Sequence, residues 1–305
     1  LLDVVHSLIE STPIKFSMTG SSARKLKKGG ANLLAGRAFV NHLFSLTHVE
    51  LGDSFDLGET LHWGTLPKIF HLKTEEEKHD YLTSYAQTYL KEEIWAEHII
   101  RKLDPFRRFL EIAAQANGEI INFTNIARDV GSDTKTVQSY FQILEDTLIG
   151  FMLEPHHRSI RKQQRTNPKF YFFDTGIQRA LARQLPVKLL PNTYAFGKAF
   201  EHFLIIEIDR LNQYFKKDYR LSYLRTKDNA EINLIIERPG EPTALIEIKS
   251  NDHIDERDSR TLERFLKDFK NAEAFIFSRD PHKKKIGNIL AIPWREGLKE
   301  LGLIT

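Results

Sequence analysis

The sequence contains no cysteine. Without thiols there is no disulfide framework, no thiolate metal site and no cysteine nucleophile, which fits a reducing cytosol and leaves histidine and carboxylates as the metal ligands of note. No apolar run approaches the roughly 18 residues that span a bilayer, and no basic-then-apolar leader opens the chain. A soluble, cytoplasmic protein with no membrane partner is therefore expected. Neither sign of charge dominates: 44 Lys and Arg stand against 41 Asp and Glu, for a formal net charge of +3. So small a sum names no partner, because nucleic-acid binding depends on where positive charge is concentrated. Internal repeats and low-complexity tracts are missing. So is the phosphate loop G-x-x-x-x-G-K-[ST]: Gly197-Lys198 is followed by Ala199, and the earlier glycine position holds Asn192. H-E-x-x-H and G-x-S-x-G do not occur, and the adjacent His156 and His157 read as surface residues.

What is present is 305 residues, 41% hydrophobic and 28% charged, ordinary for a soluble chain of two or three domains. LLDVVHSLIES has helical spacing from Leu1 and no initiating Met, so the chain is expected to begin within a domain. After Pro13, Ile14 to Met18 (IKFSM) reads as a short buried strand, followed by the polar turn TGSS and the basic ARKLKKGG. Thr74 to Lys102 is helical by composition, and three further helices follow between 106 and 150. Leu148 to Asp174 is strand-like around a basic turn, HHRSIRKQQRTNPK, and KFYFF (Lys169 to Phe173) reads as core strand. From Gly197 the pattern is helix, three strands, charged helix, strand. The prolines of LPVKLLPN mark a boundary, and the division expected is 1–74, 75–190 and 191–305.

Within the middle part, Ala127, Gly131 and Val137 stand at offsets of four and ten. This resembles a helix-turn-helix: a small residue where two helices touch, a glycine for the turn, then a buried branched residue. Val137, Tyr140, Phe141 and Leu144 form a stripe that must be buried, leaving Lys135, Gln138 and Gln142 outward. Those residues could face a major groove while Arg158, Arg161, Lys162 and Arg165 of the following hairpin reach phosphates, as in winged-helix proteins. A protein-binding winged helix is the alternative.

In the last part, EINLIIE and TALIEIK flank the turn RPGEP and suit an antiparallel hairpin. Strict alternation assigns Ile232, Leu234 and Ile236 to one face and Glu231, Asn233, Ile235 and Glu237 to the other; in the second strand Leu245, Glu247 and Lys249 oppose Ala244, Ile246 and Ile248. With Glu201 on the upstream helix, this resembles the PD-(D/E)xK nuclease fold. The resemblance implies a Mg²⁺ site in which Glu201 and Glu247 are metal ligands and Lys249 orients or activates water. The sequence departs from that pattern at Asn233, where an aspartate is expected; an amide brings no formal charge, and Glu231 lies about 7 Å along the strand. A nuclease-like domain without cleavage is the leading expectation, an active Mg²⁺-dependent DNA nuclease the alternative.

Taken in order, TGSSARKL, GGANLLAGRA, the helix-turn-helix, NPKFYFFDTG, GKAFEHFLIIEI and NAEINLIIE…LIEIKS resemble the bacterial and archaeal AAA-type ATPases that carry a C-terminal domain of uncharacterised function. The resemblance implies an α/β chain: the back part of an AAA-type ATPase domain, a winged-helix middle and a PD-(D/E)xK nuclease-like end. It implies that Thr19 is a sensor-like position and that Arg24 or Arg37 faces nucleotide. ATP and Mg are the implied cofactors of a complete parent; without a phosphate loop these residues alone are expected to bind neither tightly. The implied partner is DNA or another protein.

Overall fold

A computed structural model describes residues 2–20, 39–89, 103–156 and 167–304. Helix α1 (Leu2–Ser11) opens the chain, and residues 12–20 beyond it have no regular structure, with Ile14, Phe16 and Met18 exposed. The strand expected over Ile14–Met18 does not form. A strand needs a neighbour for its backbone hydrogen bonds, and none of the described strands lies beside this segment.

Helices α2 (His48–Leu51), α3 (Leu57–Trp63) and α4 (Glu75–Ser84) follow. Capping boxes start two of them, Thr47 with Glu50 and Thr74 with Glu77, each satisfying backbone donors that a helix start leaves free. α4 runs into a π-helical turn over Tyr85–Tyr89, and the rest of the helix expected to reach Lys102 lies outside the described residues.

The middle unit contains α5 (Leu103–Gln115), α6 (Phe123–Val130) and α7 (Thr134–Asp146). Asn122 and Asp133 cap the last two with their side chains, and Gly131 closes α6 at φ 68°. That left-handed backbone is costly for any residue with a Cβ. Strand β1 (Gly150–Leu153) then pairs antiparallel with β2 (Lys169–Phe172), and α8 (Thr175–Leu181) follows. The stripe expected to be buried is buried: Val137, Tyr140, Phe141 and Leu144 join Phe106, Phe109, Phe170 and Phe172 in one core.

Alternation along β2 sends its side chains into two cores. Phe170 and Phe172 face the helices of the middle unit, whereas Tyr171 belongs with the last unit, packed among residues of α9 (Tyr194–Tyr214). After α9 come β3 (Arg220–Arg225), β4 (Glu231–Glu237), β5 (Thr243–Ile248), α10 (Glu256–Leu266), β6 (Ala272–Ser278), β7 (Lys284–Ile286), β8 (Ile289–Pro293) and α11 (Trp294–Glu300). The six strands form one mixed sheet in the order β3-β4-β5-β6-β8-β7, with β5-β6 and β6-β8 parallel. α9 and α11 cover one face and α10 the other, so the unit is a three-layer α/β/α sandwich.

Strict alternation fails in β4. Leu224 pairs with Ile232 but Ser222 pairs with Ile235, so two steps on β3 oppose three on β4. This bulge puts Ile232 and Ile235 on the α10 side and Leu234 and Ile236 on the α9 side. The assignment of Ile232 to the face of Leu234 is corrected accordingly, whereas Ile235 lies opposite Leu234 and Ile236 as expected.

Residues 44–66 join the units. Arg210 of α9, almost wholly buried, donates to Ser45 Oγ at 2.6 Å, to Thr65 Oγ1 at 3.2 Å and to the Phe173 carbonyl. Buried Asp174 accepts the Thr65 N–H at 2.8 Å and caps α8. Burial raises the Asp174 carboxyl, against the hydrogen bond from Thr65 and the charge of Arg210. No helix among the described residues is long and apolar enough to cross a membrane.

Candidate functional site

A cavity of about 800 Å³ opens between the start of α9 and the ends of β4 and β5. Glu201, Asn233, Glu247 and Lys249 all line it, together with Glu119, Lys198 and Glu231. They do not arrive from one face. Glu201 descends from α9, whereas alternation places Glu247 with Leu245 on the α10 side. They share a cavity because both Asn233 and Glu247 lie beyond the last ladder pair of the two strands, Leu234 with Ile246.

Asn233 holds this end of the hairpin together. Its Oδ1 accepts the Ile248 N–H at 2.9 Å, standing in for a ladder bond, and its Nδ2 donates to Glu201 Oε2 at 3.3 Å. Glu201 Oε1 accepts the Tyr171 hydroxyl at 2.8 Å. Burial and the adjacent Glu201 push that phenol well above its usual range, keeping it a donor.

Lys169 reaches the same carboxylates from β2, in step with Tyr171. Its ammonium lies 2.5 Å from Glu231 Oε1 and 3.6 Å from Glu201 Oε1, over the face of Tyr223, and the residue is 1% exposed. Arg225 approaches the other Glu231 oxygen at 3.6 Å. At the mouth, Lys198 bonds Glu119 at 2.6 Å and stands 3.9 Å from Glu201 Oε2. Burial pulls the Lys198 amine down, but Glu201 and Glu119 outweigh it and the net shift is upward.

Glu247 and Lys249 form their own pair at 2.9 Å. Burial raises the Glu247 carboxyl, opposed by Lys249 and reinforced by Glu201 and Glu231. For Lys249 burial acts downward, yet Glu247 prevails and the amine is raised. The second Glu247 oxygen, Oε2, is buried and finds no hydrogen-bond donor among the described residues.

A divalent cation fits this arrangement poorly. Magnesium needs several oxygens at about 2.0–2.1 Å, but Glu201 and Glu231 are engaged by Lys169, Tyr171, Asn233 and Arg225. Among the described residues no group of three or more His, Asp or Glu side chains is placed to hold a metal.

The other expected positions are scattered. Lys135, Gln138 and Gln142 are exposed on α7, and Gln142 donates to Asp146 at 3.2 Å. Thr19 is exposed in the irregular segment after α1. Arg24, Arg37, Arg158, Arg161, Lys162 and Arg165 lie outside the described residues. Lys169 and Tyr171 were missed by reading KFYFF as core strand; the signal was a charged residue in alternation with two phenylalanines.

Residues 54–188 match a family described as a domain of unknown function (DUF8612), and residues 196–296 match a second domain of unknown function (DUF4143). Residues 189–195 separate the two matches. Uncharacterized proteins of Mycobacterium bovis and Mycobacterium tuberculosis are each 27% identical over 300 residues, covering 96% of this chain. The chain spans 65% of the length of these curated relatives. No solved structure matches it.

Proposed function

We propose that this chain is the DNA-engaging portion of an AAA-type ATPase, cytoplasmic, with a winged helix that grips duplex and a nuclease-like unit that binds without cutting. The observation that carries the reading is the convergence of Glu201, Asn233, Glu247 and Lys249 on one cavity of an α/β/α unit built as helix, three strands, helix, strand. Asn233 and Glu247 lie opposite one another just past the last ladder pair, and Glu201 reaches Asn233 from the helix. That the unit binds rather than cleaves is supported by Asn233, an amide in a carboxylate position, and by carboxylates already occupied by protein donors.

Contact with DNA is supported by α7. It follows a left-handed glycine turn, buries one stripe and presents Lys135, Gln138 and Gln142 to solvent. ATP and Mg²⁺ are proposed as cofactors of the longer protein, with Thr19, Arg24 and Arg37 toward nucleotide. For Glu201 and Glu247, carboxylate chemistry without a bound metal is the proposed role, and Lys249 is the cation that a phosphate at the cavity mouth would meet.

Anisotropy titrations of duplex DNA between about 50 and 200 mM salt test this reading. Affinity should fall steeply, Lys135→Ala should reduce the log-log slope by about 0.9, and the DNA should stay intact in Mg²⁺. A flat salt response would favour a protein partner; cleavage abolished by Lys249→Ala would establish a working nuclease instead.

A further inference from the structure

We propose that Lys169 is the resident cation beneath this cavity, its ammonium standing against Glu231 and against Glu201, one of the two carboxylates that the nuclease-like pattern assigns to a divalent metal. The inference rests on the nuclease-like reading of the cavity and is independent of whether α7 binds DNA. It starts from what an ammonium requires. A buried lysine must be paired and hydrogen-bonded to remain charged, and Lys169 has Glu231 at 2.5 Å, Glu201 at 3.6 Å and the Tyr223 ring face at 5.3 Å. The partners belong to the last unit, while the lysine belongs to β2 of the middle unit.

The carboxylates need the lysine in turn. Glu201, Glu231 and Glu247 are close enough that Glu201 and Glu231 both raise the Glu247 carboxyl. Like charges so placed are eased by protonation or by a cation among them, and among the described residues Lys169 is the cation within 4 Å of both Glu201 and Glu231. In metal-dependent sites of this shape that cation is divalent and comes from solution; here it is covalently part of the chain and cannot dissociate. The bulge in β4 brings Glu231 toward the α9 side, where β2 delivers Lys169. Three independent features therefore meet at one point: the alternation of β2, the bulge of β4 and the helix position of Glu201.

Removing the amine should leave Glu201 and Glu231 with only the more distant Lys198 at 3.9 Å and Arg225 at 3.6 Å, while Glu247 Oε2 already lacks a donor among the described residues. The site should then accept a divalent cation that the native chain does not. The test uses the full chain, Mn²⁺ as probe, and two readouts: thermal unfolding with and without the ion, and calorimetric titration. Native protein should show no Mn²⁺-dependent shift in Tm. Lys169→Met should melt lower by roughly 5–10 °C, recover part of that loss on adding Mn²⁺, and bind the ion in the titration. Lys169→Arg, which keeps the cation, should remain insensitive. Should Lys169→Met fail to fold, adding Glu231→Gln removes the repelling charge; the double variant should fold and show no Mn²⁺ response. The inference is overturned if native protein binds Mn²⁺ as tightly as Lys169→Met, if folded Lys169→Met ignores the ion, or if the double variant also fails to fold. None of these outcomes depends on DNA binding, so a failed anisotropy experiment and a failed inference are distinguishable.

Discussion

Asn233 shows how one atom decides what a site can do. As an amide it donates to Glu201 and accepts from the Ile248 backbone, so both its polar ends are used. Replacing it with aspartate would restore the carboxylate that the nuclease pattern expects, yet it would exchange a donor facing Glu201 for a second negative oxygen. The hydrogen bond from Ile248 survives, and the one to Glu201 becomes a repulsion. Asn233→Asp should therefore destabilise the protein by about 1–3 kcal/mol at neutral pH. The loss should shrink as pH falls through the ordinary carboxylate range, because protonating the introduced aspartate restores a donor. Urea denaturation across that range measures it; unchanged stability at pH 7 would mean that the amide donor contributes nothing.

At the scale of elements, close backbone approach fixes how the early helices join the middle unit. A Cβ on Gly176, in α8, would come 2.1 Å from the Trp63 carbonyl oxygen at the end of α3. No side chain can yield there, since the obstacle is backbone. Gly176→Ala should push α3 off α8 and cost about 1–3 kcal/mol, the usual range for overpacking. A thermal melt indistinguishable from native would contradict that packing. Elements of this kind differ in how well the sequence displays them. α6, α7, α9, β5, α10 and β6 were legible because each carries its own periodicity or caps. The failed strand at Ile14–Met18 has equally good local composition, but strand formation depends on a neighbour, which composition does not encode. The β4 bulge was invisible for a related reason: one extra residue leaves the residue types of the strand unchanged while moving Ile232 to the face opposite Leu234. That Glu201, Asn233, Glu247 and Lys249 share one cavity was expected from a family pattern. Lys169 was not, because its role depends on another unit of the chain lying against β2.

Across the whole molecule, the cavity belongs to neither unit alone. β2 lies between two cores, sending Phe170 and Phe172 one way and Lys169 and Tyr171 the other, toward Glu231 and Glu201. Residues 44–66 reinforce the same junction through Arg210 and Asp174. The middle and last units are thus held together in part by Lys169 with Glu231 and Glu201, the contact on which the proposed exclusion of a metal rests. The most direct measurement is an anomalous-scattering map from crystals of the native chain grown with millimolar Mn²⁺. The account predicts Lys169 Nζ between Glu201 and Glu231 with no anomalous peak at that position; a Mn²⁺ peak bridging those carboxylates, with Lys169 displaced, would contradict it.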